Sequence, residues 1–171
     1  MTLHLDRFKS PIGEIIIVGD GAGLVALDFS DCRERLEAYL ATQFRGRAVA
    51  EKPGFGGHRE RIAAYFAGDL GALDAVPAQP RGSDFQKRAW RALREIGPGR
   101  TASYGEIAAR LGSPGAARAV GLANSRNPVA LVVPCHRVVG SSGALTGYAG
   151  GLERKLWLLR HEGARPSATP R

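Results

Sequence analysis

A chain of 171 residues, 44% hydrophobic and 23% charged, can bury one ordinary core or two small ones and is too apolar to be a disordered tail. Its 23 glycines and 10 prolines follow no period, which excludes a collagen-like fibre and predicts many turns on a packed framework. The net charge of +8 is uneven: residues 1–80 carry 9 Lys/Arg against 11 Asp/Glu, and residues 81–171 carry 15 against 5.

The chain opens Met-Thr-Leu-His-Leu-Asp-Arg, without the basic start, apolar run and small-residue cleavage site of a secretory signal, so a cytoplasmic location is expected. No run approaches the ~18 apolar residues of a membrane-spanning helix, so no membrane association is expected. Leu3 to Phe29 reads as strands: Ile12 opens a hairpin arm, Glu14–Val18 is β-branched, Gly19-Asp20-Gly21 turns, and Leu24–Phe29 returns, as a hairpin or meander. After Ser30-Asp31, apolar residues at helical spacing predict helices over Arg33–Phe44 and His58–Ala67. The first half is therefore small α+β. Gly68–Gly82, with Pro77 and Pro80, coincides with the charge shift and reads as the linker between a domain over 1–80 and another over 81–171.

Ser83-Asp-Phe-Gln86 and Ser103-Tyr-Gly-Glu106 both fit a capping box and fix two helix starts. The first helix carries Phe85, Ala89, Leu93 and Ile96 on one face and stops at Gly97-Pro98; the second runs from Tyr104 to Leu111 and stops at Gly112. Ser113-Pro114 reads as cap and first residue of a third helix reaching about Asn124. Helix, glycine turn and a small-residue helix bearing Arg118 form a helix-turn-helix pattern, though an ordinary helical hairpin has the same periodicity. The basic half suits a nucleic-acid phosphate backbone. Membrane lipid, the ribosome or a solvated basic surface satisfies the charge equally well.

Val129–Val133, bounded by Pro128 and Pro134, reads as a short buried strand that delivers Cys135 to its far end. A Gly/Ser-rich loop over 140–151 precedes a last helix with Leu152, Leu156 and Leu159 on one face and Gly163 as its stop; residues after Ala164 are expected to fray. Two cysteines, Cys32 and Cys135, and four histidines at positions 4, 58, 136 and 161 show no metal-ligand spacing, so no zinc site is expected.

Cys135-His136 pairs a thiol with an imidazole. A thiol of ordinary pKa, about 8.5, is mostly protonated at neutral pH and needs a neighbouring base or positive charge to become a nucleophile. Consecutive side chains of an extended segment diverge, so contact requires a turn after Cys135 or a bridging water. Glu162 is placed to orient His136 as a third member of a triad. The plainer reading makes Cys135 a small buried hydrophobe and His136 a satisfied core histidine. Cys32 lacks such a neighbour and reads as structural.

Pro134-Cys-His-Arg-Val138 resembles the active-site motif of the O6-alkylguanine-DNA alkyltransferases, the direct-reversal DNA repair proteins. The blocks Thr101-Ala-Ser-Tyr-Gly-Glu-Ile-Ala108, Ala117-Arg-Ala-Val-Gly121, Asn127-Pro128 and Leu145-Thr-Gly-Tyr-Ala-Gly-Gly151 resemble the other family blocks in family order. The resemblance is specific over about residues 83–163 and loose over the first 80. It implies a small N-terminal α/β domain of ribonuclease H-like type and a C-terminal, mainly helical, winged-helix-like domain.

The resemblance also implies roles. Cys135 would take the alkyl group from O6-alkylguanine, and from O4-alkylthymine where that is accepted, after the nucleotide is flipped out of the duplex. His136 would take the thiol proton through water, Glu162 would hold His136, and Tyr104 would assist extrusion and protonate the leaving base. Arg118 would enter the base stack, with Tyr104, Ala117, Ala119 and Arg126 beside it at the minor groove. Asn127 would tie the recognition helix to the active-site segment, and Val138, Tyr148, Ala149 and Gly150 would line the guanine pocket. Some relatives have Ser where this chain has Ala149, so a hydroxyl contact is missing there.

An S-alkyl thioether has no carbonyl for water to attack, so the protein should act once, without cofactor or metal. A lesion-sensing DNA-binding protein that lacks the nucleophile is the alternative, and Cys135 argues against it. A Cys-His-Glu hydrolase is chemically allowed but would not require the basic half. Nothing before residue 80 supplies the Cys-rich zinc domain of the transcription-regulating variant, so a stand-alone, bacterial-type, monomeric protein working on double-stranded nucleoid DNA in the cytoplasm is expected.

Overall fold

Strands with alternating or continuous apolar faces, separated by tight turns, build a meander at the start of the chain. In the computed structural model, which describes residues 2–164, β1 (Leu3–Ser10), β2 (Gly13–Asp20) and β3 (Gly23–Phe29) pair antiparallel in turn. A short β4 (Val49–Glu51) adds in parallel to β1, giving the order β3-β2-β1-β4. Ile12 does not open a strand. It lies in the turn before Gly13, where Ser10 Oγ accepts from Ile12 N at 3.2 Å and donates to Gly13 O at 2.6 Å. The fraying expected after Ala164 lies outside the described residues.

The chain divides into two compact units, one of residues up to Arg81 with Pro128–Val132, the other of Gly82–Asn127 with Val133 onward. In the first, Ile15–Val18 and all of β3 are buried, which a sheet reaches only when covered on both faces. Leu3, Ile16, Val18, Val25 and Ala26 pack with Leu36 of α1 (Arg33–Gln43) and with Phe44. Helix α2 (His58–Phe66) lies beside β1. The stretch read as a linker is structured: a 3₁₀ helix over Leu70–Ala75 buries Leu73, and Leu24 on the outer edge of β3 bonds Pro77 O and Gln79 N. Residues 128–130 cover the same edge, with Leu27 N donating to Pro128 O and Ala130 N to Leu27 O, so the unpaired strand edge is satisfied within the unit.

The strand expected over Val129–Val133 is not formed. Only Val129 bridges to Leu27; Val132 N then bonds Ala130 O and Cys135 N bonds Val133 O, both at 2.8 Å, in two three-residue turns. Leu131, at φ 72°, is the one non-glycine left-handed residue among those described. All five residues are buried, so the β-branched composition reported burial rather than pairing.

The second unit is helical. Helix α3 (Asp84–Arg94) begins in a complete capping box: Ser83 N donates to Gln86 Oε1 at 2.9 Å and Gln86 N to Ser83 Oγ at 3.2 Å. Its buried face is Ala89, Trp90, Ala92 and Leu93, while Phe85 is half-buried and Ile96 is buried past the helix end. Helix α4 (Tyr104–Arg110) follows the two-residue β5 (Ala102–Ser103) and has half a box, since Ser103 accepts from Glu106 N and no return bond forms. Gly112, at φ 73°, ends the turn after it. Ser113-Pro114 does not cap α5. Ala116 N bonds Ser113 O, as expected where glycine follows proline, and α5 starts at Ala117 and ends at Ser125.

β6 (Val138–Val139) pairs in parallel with β5, and α6 (Leu152–His161) packs Leu152, Leu156 and Leu159 with Val139 and Leu145. The architecture is α+β, with the sheet first and the helices second, as expected. The β5–β6 pair brings the start of α4 beside the strand that follows Cys135.

Candidate active site

Cys135 sits in a backbone frame held from both sides. Asn127, just past α5, donates from Nδ2 to Val133 O at 2.8 Å, and Asn124, on α5, donates to Cys135 O at 3.4 Å. The required turn is present: Cys135–Arg137 form a single 3₁₀ turn, closed by Arg137 N to Pro134 O at 3.0 Å. The thiol residue is buried, 4% exposed, and His136 is wholly enclosed.

Glu162 follows the last turn of α6, and its carboxylate meets both residues after the cysteine. His136 Nε2 lies 2.9 Å from Glu162 Oε2, while Arg137 donates from Nε to Oε1 at 2.9 Å, from Nη2 to Oε2 at 2.8 Å, and from Nη1 to Ile96 O at 2.6 Å. Burial alone would push the Glu162 carboxyl up, but the bonds from His136 and Arg137 outweigh it and hold it well below the usual carboxylate range. His136 moves the opposite way from a typical ion pair: burial lowers its pKa, Glu162 pulls it up, and the charges of Arg137 and Lys155 oppose protonation. Arg137 already balances the carboxylate, so the imidazole stays neutral. An ionised carboxylate only accepts, so Nε2 carries the proton and Nδ1 keeps the lone pair. Nδ1 has no hydrogen-bond partner in the structure. The arrangement is thus a buried neutral base on the residue after a thiol.

Lys155 is the second buried cation. Fully enclosed on α6, it donates from Nζ to Val138 O at 2.6 Å and to Thr146 O at 3.1 Å, and burial lowers its pKa to about 8, with Cys135 acting upward. Thr146 meets Tyr104, the half-buried first residue of α4, with 2.7 Å between the two hydroxyl oxygens. The loop over 140–151 is therefore fixed to α6 on one side and to α4 on the other.

Cys135, His136, Glu162, Asn127 and buried Val138 fall in one frame, with Tyr104 reaching it through Thr146. On the same loop, Tyr148 and Gly150 are half-buried and Ala149 is exposed. Arg118, Ala119 and Arg126 are exposed and Ala117 half-buried, so α5 presents a basic, small-residue surface to solvent. Sequence reasoning gave no role to Arg137, Lys155, Thr146 or Asn124. Lys155 carried a signal, a charge inside the apolar stripe of Leu152, Leu156 and Leu159. Among the described residues, no group of three or more His, Cys, Asp or Glu is placed to hold a metal, and no helix is long and apolar enough to cross a membrane.

Two family models match the chain: 6-O-methylguanine DNA methyltransferase, ribonuclease-like domain, over residues 4–80, and 6-O-methylguanine DNA methyltransferase, DNA binding domain, over residues 84–164. A methylated-DNA–protein-cysteine methyltransferase of Salmonella typhimurium is 46% identical over 163 residues, covering 92% of this chain and 94% of the relative. The crystal structure of Mycobacterium tuberculosis OGT in complex with DNA superposes with a TM-score of 0.80 at 46% identity, covering 96% of each chain. An O6-methylguanine-DNA methyltransferase structure from Pyrococcus kodakaraensis gives a TM-score of 0.67 at 27% identity, covering 95% of this chain and all of that one.

Proposed function

The chain belongs to the 6-O-methylguanine DNA methyltransferase family, and we propose that it repairs O6-alkylguanine in double-stranded DNA by moving the alkyl group irreversibly to Cys135. The observation that carries this assignment is His136, on the residue that follows Cys135, bonded through Nε2 to the carboxylate of Glu162 that Arg137 also holds, with Nδ1 left without a hydrogen bond.

An O6-alkyl group lies within the base stack, so the nucleotide must be flipped out before reaction. Exposed Arg118 on α5 fills the gap, with Ala117 and Ala119 admitting the backbone closely and Arg126 adding charge toward phosphate. The half-buried Tyr148 and Gly150, exposed Ala149 and the Val138 backbone receive the base. His136 Nδ1 takes the thiol proton through water, the Cys135 Sγ–carbon bond forms, and the carbon–O6 bond breaks. Its electron pair passes into the base, which Tyr104 protonates. The product is a thioether and an intact guanine. No water-labile group remains on sulfur, so each molecule reacts once. The protein works as a monomer, because one α5 serves one flipped base, on nucleoid DNA in the cytoplasm; O4-alkylthymine is a second substrate where the pocket admits a pyrimidine.

The test is the intact mass of the protein after incubation with excess duplex carrying O6-methylguanine, followed by peptide mapping. The expected result is one added methyl group, on Cys135, and no more than one per chain. Tight binding without added mass would instead make the protein a lesion sensor, and neither binding nor transfer would sink the repair assignment.

A further inference from the structure

Thr146 is in none of the roles above, yet its side chain touches the residue proposed to protonate the base. Two hydrogen bonds hold it, and a glycine gives its methyl room. Its carbonyl accepts from the enclosed Lys155 ammonium at 3.1 Å, its hydroxyl lies 2.7 Å from Tyr104 Oη, and its methyl stands 3.3 Å from the position a β-carbon on Gly140 would take. Gly140 has no β-carbon and so leaves the methyl room; a side chain at 140 would press on it. Tyr104 is bounded on another side by α5, where a β-carbon on Gly121 would lie 3.7 Å from its Cδ1. The phenol is thus set between α5 and a hydroxyl whose backbone is anchored on a buried cation.

A tyrosine that gives a proton to a leaving base becomes a phenolate for the moment of transfer, and a phenolate only accepts hydrogen bonds. Thr146 can donate to it, because a hydroxyl both donates and accepts and its rotor is free to turn. Before reaction either hydroxyl can donate across the 2.7 Å contact; with the base in place the Tyr104 proton goes to the base nitrogen, and Thr146 gives its own hydrogen bond to Tyr104 Oη. The thiol proton, taken by His136, returns to Tyr104 through solvent, so the protons balance. On this ground, and resting on the repair reading above, we propose that Thr146 is a positioning residue for alkyl transfer, which orients Tyr104 and stabilises its deprotonated form by a hydrogen bond.

The experiment measures single-turnover methyl transfer from duplex O6-methylguanine by the full chain, alongside duplex affinity and the rate at which iodoacetamide labels Cys135. Thr146→Val keeps the shape and removes the hydroxyl; Thr146→Ser keeps the hydroxyl. A lost hydrogen bond to a charged group is worth roughly a factor of ten or more, so Thr146→Val should slow transfer about tenfold, with duplex affinity and iodoacetamide labelling within about twofold of the unchanged protein. Thr146→Ser should restore the rate to within about threefold. In a Tyr104→Phe background, Thr146→Val should cost nothing further, because the group it serves is gone. An equal loss in that background, or none in the native one, would overturn the inference while leaving the repair reading intact. Failure of the unchanged protein to gain a methyl group on Cys135 would overturn both.

Discussion

The two units bury charge for different ends. In the first, the buried acids hold loops and helices: Asp28 pairs with Arg35 at 2.7 Å and accepts from Phe29 N, while Asp6 accepts from Arg7 N and Gly54 N and stands 3.4 Å from Arg59. In the second, buried polar residues gather along one short stretch of chain. Asn124, Asn127, Lys155 and Glu162 each bond a backbone or side chain between positions 133 and 146, and Arg137, within that stretch, bonds Glu162 and Ile96 O. Enclosing that many polar groups is costly unless each is partnered. Such a cost concentrated around one thiol marks a working site, whereas acids spread along strands and turns mark a scaffold.

The two cysteines give the largest contrast. Cys32, half-buried, has its pKa raised by burial and by Asp28 and Asp31, the wrong direction for a nucleophile, whereas Cys135 precedes a neutral base. Cys135→Ala should abolish transfer and keep duplex binding, and Cys32→Ala should leave the transfer rate within about twofold. Mass spectrometry and a gel-shift assay read both, and methyl transfer by Cys135→Ala would sink the mechanism.

The next contrast is energetic. Glu162→Gln leaves Arg137, 5% exposed, as a buried cation without its counter-charge, which costs about 3–5 kcal/mol. Asp28→Asn should cost only about 1 kcal/mol, since the Arg35 side chain is 39% exposed and passes its charge to water. Both tryptophans, Trp90 and Trp157, lie in the second unit, so fluorescence-monitored urea unfolding of the full chain reports the Glu162 variant. Peptide-resolved hydrogen exchange reports the Asp28 variant. The Glu162 carboxyl is held below its ordinary value of 4.5, so its contribution is complete above that pH and lost on acidification. Equal costs for the two substitutions would erase the distinction between the units.

Histidine sharpens it further. Burial lowers the pKa of both His58, in the first unit, and His136, in the second. A base works only while neutral, so a lowered value extends its range downward. Transfer should therefore hold constant from neutral pH down to 6.5, the ordinary histidine value, and fall only below it. A half-maximal rate above pH 6.5 would show that His136 is charged at rest. His58→Phe should leave this profile unmoved.

What could be read from the sequence follows the same division. Period-2 and period-3.6 patterns report which face is buried, so the meander and the helices α1, α2, α3, α4 and α6 were legible. Val129–Val133 was not: burial and pairing share one composition, and only the left-handed Leu131 distinguishes a turn from a strand. At the site, Cys135, His136 and Glu162 were legible from the chemistry that each can do. Arg137 and Lys155 were not given roles, because a cation in a basic half is expected in water, and it takes the folded chain to show which two are enclosed.

The smallest effect tests the finest of these readings. Ser83-x-x-Gln86 and Ser103-x-x-Glu106 carry the same signature, yet only Gln86 returns a bond to the backbone N–H of its cap. Gln86→Ala should therefore remove one satisfied helix-end donor and cost about 0.5 kcal/mol, whereas Glu106→Ala should stay within about 0.3 kcal/mol. Both lie in the unit that holds the tryptophans, so one fluorescence-monitored unfolding series resolves them. If the two substitutions cost the same, Glu106 closes its box in solution, and the half-box at the start of α4 is open only until Glu106 swings back. Tyr104 is the first residue of that helix. A cap that opens and closes there would move the phenol against Thr146, so an equal cost would also predict that Glu106→Ala slows transfer.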